Sequence, residues 1–401
     1  MDEDFSYAIL DALIFDGTEF LDKNKAILVK NGIILDIVDV NEIPKNMKIL
    51  TMGGLVLAPA FIDLQINGCG GVLYNYDISY DALDTMYKTN LKYGTISFLP
   101  TLITAVESEI KKAVETAYMY RSEYPDRVIG IHIEGPYINV KKKGIHNSNY
   151  IKILSFEMVE YLIEWVKKIP IMITVAPECN HLDYIKILID NGVVVAIGHS
   201  NATYLEAKKS FDLGINVATH LFNAMSQMEA RTPGVVPAVL NDENVYAGII
   251  VDGLHVDYNV IKLAKKIKGE KLFVVTDTAT AMGTDMEEFV FGDQRVLVKD
   301  GKFVSENGVL AGANISMILS LKNLVKHVNI PLTEALRMLS LYPARVMKID
   351  NQLGKIQVGF KANFVLFDMN YKVNYMIENG QIFDFTDEEI ENKTDENSEN
   401  K

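Results

Sequence analysis

Eight apolar, β-rich runs separated by amphipathic helical patterns constrain this chain more than any other feature of its sequence. The runs are LVLAPAFIDLQI (55–66), TISFLP (95–100), RVIGIHIEGP (127–136), IMITVAPE (171–178), VVVAIGHS (193–200), NVATHLF (216–222), YAGIIVDG (246–253) and KLFVVTDT (271–278). Between them, segments such as DALDTMYKTNLKYG, SEIKKAVETAYMYRSEY, FEMVEYLIEWVKKI and LDYIKILIDNG place apolar residues at helical spacing, and several close on a glycine. Strands that are apolar throughout are buried on both faces, the condition of a parallel sheet covered by helices. A count of eight predicts an α/β fold, a closed (β/α)₈ TIM-like barrel rather than an open doubly wound sheet. An insertion over 281–312 and helices near 315–328 and 332–348 are expected to follow the eighth strand.

The two ends have a different texture. Residues 6–57 alternate in short runs, with Asn31-Gly32 between AILVK and IILDIV, a strong signal for a tight hairpin. The same texture returns in NFVLFD (363–368) and YKVNYMIENGQIFDF (371–385). The expected organisation is therefore a small β-sandwich domain from 1–57 and 355–385, and a catalytic barrel over 58–354. From Thr386 to Lys401 seven acids and two lysines leave a net charge of −5 with almost nothing apolar, which predicts a disordered acidic tail over 386–401.

At 401 residues the chain can bury a barrel core and an accessory domain without help. A net charge of −14 argues against a nucleic-acid partner, since the phosphate backbone calls for a basic face. No apolar run reaches the roughly 18 residues that span a bilayer, so no membrane partner is expected. The acidic N-terminus is unlike a signal peptide, and two cysteines, Cys69 and Cys179, make no disulfide framework, so a cytoplasmic location is expected. Both cysteines read as small buried hydrophobes.

In a barrel enzyme the C-terminal ends of the strands converge on one mouth. Here those ends carry Gln65 and Asn67, Glu134, His199, His220, Asp252 and Asp277. Each has a bland reading: a histidine at a strand end is commonly a hydrogen-bonded structural residue, and Glu134 or Asp277 could cap the following helix. Independent strands placing ligand-type residues at the same end favour a site instead. Two histidines and a carboxylate from three strand ends, converging on one mouth, make a candidate three-ligand metal site with open positions, and the further carboxylate at strand eight, Asp277, would face it. His181 reads as a surface or cap residue, and His327 as a solvated residue late in a helix, favoured there by the helix dipole. Arg231, in the loop MSQMEARTPGVVPAV, is either a surface cation or an anion clamp.

GLVLAPAFIDLQINGCGG, IHIEGPYIN with KKKGIHN, IGHSNAT, THLFNAM, GIIVDGLHV and VTDTATAMG, in this order, resemble the amidohydrolase superfamily, and within it the deacetylases of 6-phosphorylated amino sugars. The resemblance covers nearly the whole chain apart from the acidic tail. It implies a barrel with a small β-domain and a homodimer. The implied reaction is hydrolysis of the N-acetyl group of N-acetyl-D-glucosamine 6-phosphate to D-glucosamine 6-phosphate and acetate. Two-metal members carry His-x-His at the end of strand one; here Gln65-Ile66-Asn67 stands in that place, and neutral amides are poor ligands for a borderline cation. The remaining cage, Glu134, His199 and His220, matches the single-metal variant of the family, so the resemblance implies one divalent metal per subunit, Zn²⁺ first and Fe²⁺, Mn²⁺ or Co²⁺ as alternatives, with Gln65 and Asn67 at the vacant second position, bonding water or lining the pocket.

By the same resemblance Asp277 is the general acid and base, and His146 polarises the substrate carbonyl. Asn223, Ala224, Arg231 and His255 bind the phosphorylated sugar, with Arg231 reaching across the dimer. Other readings keep the fold and change the substrate, to the galactosamine epimer or a cyclic amide. Two histidines and a carboxylate also describe non-haem Fe(II) oxygenases. A non-enzymatic scaffold has no physical need for a metal cage with a facing base.

Overall fold

A computed structural model describes residues 6–387, so that all but the first two residues of the expected acidic tail lie outside the described part. The described residues form two compact units, one of 63–89 and 97–316, the other of 6–62, 90–96 and 317–387.

The barrel sheet consists of β1 (Phe61–Ile66), β2 (Thr95–Ile103), β3 (Ile131–Glu134), β4 (Ile171–Val175), β5 (Val194–Ile197), β6 (Val217–Ala218), β7 (Tyr246–Ile249) and β8 (Leu272–Val274), in sequence order around the sheet. The chain beyond β8 closes the ring on the end of β1: the Asp277 N–H donates to the Gln65 carbonyl at 3.0 Å and the Asn67 N–H to the Thr278 carbonyl at 2.9 Å. A closed (β/α)₈ barrel is what eight doubly buried strands require, because closure removes the unpaired edge.

Two sequence expectations are corrected in detail. Most strands are shorter than their apolar runs, the rest of each run forming the loop that follows. The run 55–66 is two strands, because the ladder changes partners at Ala60: Val56–Pro59 pairs with Phe364–Phe367, whereas the Phe61 N–H bonds the Gly94 carbonyl at 2.9 Å.

Helices follow the strands as expected, from Tyr80–Leu91 after β1 to Tyr258–Lys268 after β7. Glu107–Glu123 shows why they form: Ile110, Ala113, Val114, Ala117 and Tyr120 recur at helical spacing and are buried together. Tyr204–Asp212 starts on a capping box in which the Thr203 hydroxyl accepts the Glu206 N–H and the Glu206 carboxylate accepts the Thr203 N–H. His181 is the exposed N-cap of Leu182–Asp190, and His327 is exposed just past Met317–Lys326. Cys69 is buried, Cys179 half-buried, and neither forms a disulfide. The expected insertion is a three-stranded antiparallel sheet of Glu288–Phe291, Gln294–Lys299 and Lys302–Ser305.

The second unit joins both ends of the chain. A four-stranded sheet holds Ser6–Leu10, Lys25–Lys30, Ile33–Asp39 and Lys48–Thr51. A five-stranded sheet holds Leu13–Ile14, Val56–Pro59, Phe364–Phe367, Val373–Glu378 and Gln381–Asp384. Ile9, Ile27, Leu57, Phe364 and Ile377 share one core. The Asn31-Gly32 hairpin is present, both residues having positive φ (50° and 78°) as a type I′ turn demands. No helix among the described residues is long and apolar enough to cross a membrane.

Candidate metal and catalytic site

Glu134 is the last residue of β3, while His199, His220 and Asp277 follow the ends of β5, β6 and β8. The last three have left-handed backbones, with φ of 46°, 27° and 52°. For residues other than glycine this conformation is disfavoured by about 1 to 3 kcal/mol, and it concentrates where geometry is needed for function. The residue before His199 must be glycine: a Cβ on Gly198 would lie 2.7 Å from Thr174 Cγ2 and 2.9 Å from Thr219 Cβ.

Three ligand-type atoms converge. His199 Nε2 lies 3.1 Å and His220 Nε2 2.9 Å from Glu134 Oε1, and the two nitrogens are 3.1 Å apart. All three side chains are buried. The Lys142 carbonyl accepts from His199 Nδ1 at 2.8 Å, which leaves the Nε2 lone pair of a neutral ring facing the carboxylate. His220 Nδ1 is buried without a hydrogen-bond partner in the described structure. Lone pairs this close repel unless a cation lies between them. Bonds of about 2.0 to 2.2 Å to one ion place adjacent ligand atoms about 3 Å apart, so the donor set fits a divalent metal. Burial opposes charge on both groups, yet the Glu134 carboxylate raises the His220 ring above its ordinary value and is itself held well below the usual range, so Glu134 Oε1 is set to face positive charge, from a ring proton or from a cation.

His146 also approaches, offering a ligand atom within 4.8 Å of those of Glu134 and His199. Its hydrogen bonds argue against ligation. Thr104 donates its backbone N–H to His146 Nδ1 at 3.3 Å, and the Thr104 hydroxyl lies 2.7 Å from the same nitrogen. An N–H can only donate, so Nδ1 is the acceptor and the ring proton sits on Nε2. Burial holds the ring neutral, its pKa well below the ordinary value. His146 is thus a neutral Nε2–H donor at the cavity. His132, on the same face of β3 as Glu134, has both ring nitrogens taken by the hydroxyls of Thr101 (3.2 Å) and Thr174 (2.7 Å).

Asp277 faces the cluster. Asn67 Nδ2 donates to Asp277 Oδ1 at 2.7 Å and Gln65 Nε2 donates to the same oxygen at 3.0 Å. Burial, then the charge of Glu134, pushes the Asp277 carboxyl up to about 6. Asn67, Glu134, His146, His199, His220, Asn223, Ala224, His255 and Asp277 all line one cavity of about 380 Å³. Gln65 is not part of this lining; it lies behind it, bridging Glu134 and Asp277.

The expected substrate residues divide. His255 is oriented by Asp252, whose Oδ2 lies 2.6 Å from His255 Nδ1. The Asn223 N–H closes a turn on the His220 carbonyl at 2.9 Å and is not free for a ligand, which leaves the Ala224 N–H and the Asn223 side chain. Arg231 is exposed and lies outside the cavity lining. Sequence reasoning missed Lys141, Lys142 and Phe291 in the wall; the lysines lay in the quoted KKKGIHN segment, but nothing local signals Phe291, which arrives with the insertion.

Known proteins share this architecture. The amidohydrolase family matches residues 56–394. An N-acetylglucosamine-6-phosphate deacetylase of Haemophilus influenzae is 42% identical over 378 residues, 94% of this chain and 98% of that protein. An N-acetylgalactosamine-6-phosphate deacetylase of Shewanella sp. is 33% identical, covering 81% of this chain and 82% of that protein. The crystal structure of N-acetylglucosamine-6-phosphate deacetylase from Pasteurella multocida has a TM-score of 0.92 at 44% identity, covering 95% of this chain and 100% of that one.

Proposed function

This chain belongs to the amidohydrolase family, and from that premise we propose that it deacetylates N-acetyl-D-glucosamine 6-phosphate, with Glu134, His199 and His220 holding one divalent metal. The products are D-glucosamine 6-phosphate and acetate. The observation that carries the reading is the triangle of Glu134 Oε1, His199 Nε2 and His220 Nε2 facing Asp277 across one cavity.

When bound, the metal supplies Lewis-acid activation of water and of the amide carbonyl. Zn²⁺ suits the two nitrogens and one carboxylate, and Fe²⁺, Mn²⁺ and Co²⁺ suit the same donors. Asp277 takes the proton of the attacking water and returns it to the leaving amine, because an amide anion cannot depart at neutral pH. Both amide donors meet Asp277 Oδ1, so Oδ2 is the oxygen that exchanges the proton. A carboxyl near 6 can do both, since neither form is strongly disfavoured at neutral pH. The His146 Nε2–H donates to the acetyl oxygen as negative charge develops on it.

His255, with Asn223 and Ala224, holds the phosphate end of the sugar. Arg231 supplies a forked donor to the phosphate from the partner subunit of a cytoplasmic homodimer. The test is acetate release from N-acetylglucosamine 6-phosphate, beside the unphosphorylated sugar and the galactosamine epimer, before and after chelation. Rapid, chelator-sensitive release from the first substrate alone supports the reading; preference for the epimer moves the substrate, and no release with metal restored overturns it.

A further inference from the structure

The β-insertion is fastened to the loop that carries His146. At the hairpin turn between Glu288–Phe291 and Gln294–Lys299, Gly292 and Asp293 have φ of 57° and 61°. A Cβ on Gly292 would lie 2.0 Å from the Ile145 carbonyl oxygen, so the turn sits directly on the backbone beside His146. Asp293 then makes three polar contacts. Its Oδ2 accepts from Asn147 Nδ2 at 2.5 Å, its Oδ1 accepts from the Tyr76 hydroxyl at 3.3 Å, and its N–H donates to that hydroxyl at 2.9 Å. Ile145 and Asn147, the two neighbours of His146, are thus both touched by one turn, which is anchored through Tyr76 to the loop after β1.

Among the described residues the imidazole of His146 is hydrogen-bonded by Thr104 at Nδ1, and the ring packs on that of His199 with centroids 4.3 Å apart. One point of attachment fixes the tautomer, and the backbone under the ring is held by Lys143, whose carbonyl accepts the His146 N–H at 3.0 Å and whose Nζ donates to the His146 carbonyl at 3.3 Å; the turn holds the residues on either side. We propose that Asp293 is a positioning residue that clamps the insertion onto Asn147 and so sets where the His146 Nε2–H points. Phe291, one residue before the turn, lines the cavity wall, so the same clamp fixes that wall. The proposal rests on the reading of His146 as the donor to the substrate carbonyl. It assigns the insertion a part in the chemistry rather than only in covering the mouth.

The test compares the metal-loaded wild type with Asp293→Ala, Asp293→Asn, Tyr76→Phe, His146→Gln and the double variant D293A/H146Q, for kcat and KM on N-acetylglucosamine 6-phosphate. Misplacing a reacting group by about 1 Å loses up to about 100-fold in rate, so Asp293→Ala is expected to lower kcat by about 10- to 100-fold with metal content unchanged. Asp293→Asn is expected to recover most of that, because Asn tolerates the left-handed backbone and keeps a carbonyl to accept from Asn147. In the His146→Gln background Asp293→Ala should add less than about a twofold further loss, since the two act as one unit. Faster amide exchange over 145–147 in Asp293→Ala is the readout independent of activity.

The same fold-loss from Asp293→Ala in both backgrounds overturns the clamp while leaving the role of His146 standing. Undiminished turnover in His146→Gln overturns the reading of His146 and the clamp with it. If Asp293→Ala does not fold, Tyr76→Phe carries the comparison: a kcat loss in Tyr76→Phe that disappears in the His146→Gln background supports the clamp, and wild-type kcat in Tyr76→Phe overturns it.

Discussion

The side-chain amide of Gln65 donates to Glu134 Oε1 at 3.1 Å, the same oxygen that faces His199 Nε2 and His220 Nε2. A neutral donor therefore occupies the side of the cage where His-x-His would place another lone pair. It supports the carboxylate and does not compete for the ion. Metal analysis after mild dialysis should return about one ion per chain; Gln65→Ala should weaken binding by about 10- to 100-fold, the usual loss when a group orienting a ligand is removed. Two tightly held ions per chain would contradict this arrangement.

His146 and His220 both approach Glu134 and His199, and metal content separates their proposed roles. His220→Ala should lose the ion. His146→Ala should keep it and lose about 10² to 10³ in kcat, as for other donors to a developing oxyanion. The reverse pattern of metal loss would make His146 the ligand.

Asp277→Asn should retain the metal and lose about 10² to 10⁴ in turnover, the range for a positioned acid and base. The measurement is kcat beside metal stoichiometry on the same preparation. Near wild-type turnover would remove Asp277 from the proton path.

Arg231→Ala should raise KM for the phosphorylated sugar by about tenfold or more and leave kcat within about twofold, the signature of lost binding that is uniform along the reaction. Mixing Arg231→Ala with Asp277→Asn subunits should restore one competent site per hybrid dimer if the arginine serves the partner. Hybrids no better than the parents would place Arg231 outside the shared site.

A pH dependence of stability is expected from Asp63. It is buried beneath the site, with its Oδ2 accepting from the Thr276 hydroxyl at 2.5 Å and its Oδ1 from the Gln65 N–H at 3.1 Å. Burial, the largest influence, raises its carboxyl from 3.8 to about 7. Between those values the folded chain holds a proton that the unfolded chain has released, so this residue's contribution to stability falls as pH rises through the window, by at most about 1.4 kcal/mol per pH unit. Denaturant melts from pH 4 to pH 7 should show Asp63→Asn gaining on the wild type as pH rises. Parallel curves would mean that Asp63 titrates normally.

The architecture was legible in the sequence because its causes are local or additive. A strand buried on both faces must be apolar throughout, a helix on its outside must be apolar on one side, and eight such pairs close a ring; polar residues that interrupt the ends of such runs, as at Glu134, His199, His220 and Asp277, then have one mouth to share. The chemistry of each polar atom was not legible, because it depends on partners far apart in the chain. His146 offers Nε2–H because Thr104, 42 residues away, takes Nδ1. Gln65 reaches Asp277 across 212 residues only because the barrel closes. Asp293 meets Asn147, 146 residues away, through a turn whose docking no local pattern encodes. Composition and periodicity fix which side of an element is buried; tautomers, converging lone pairs and left-handed ligand backbones are set by distances that exist only after the long-range contacts have formed.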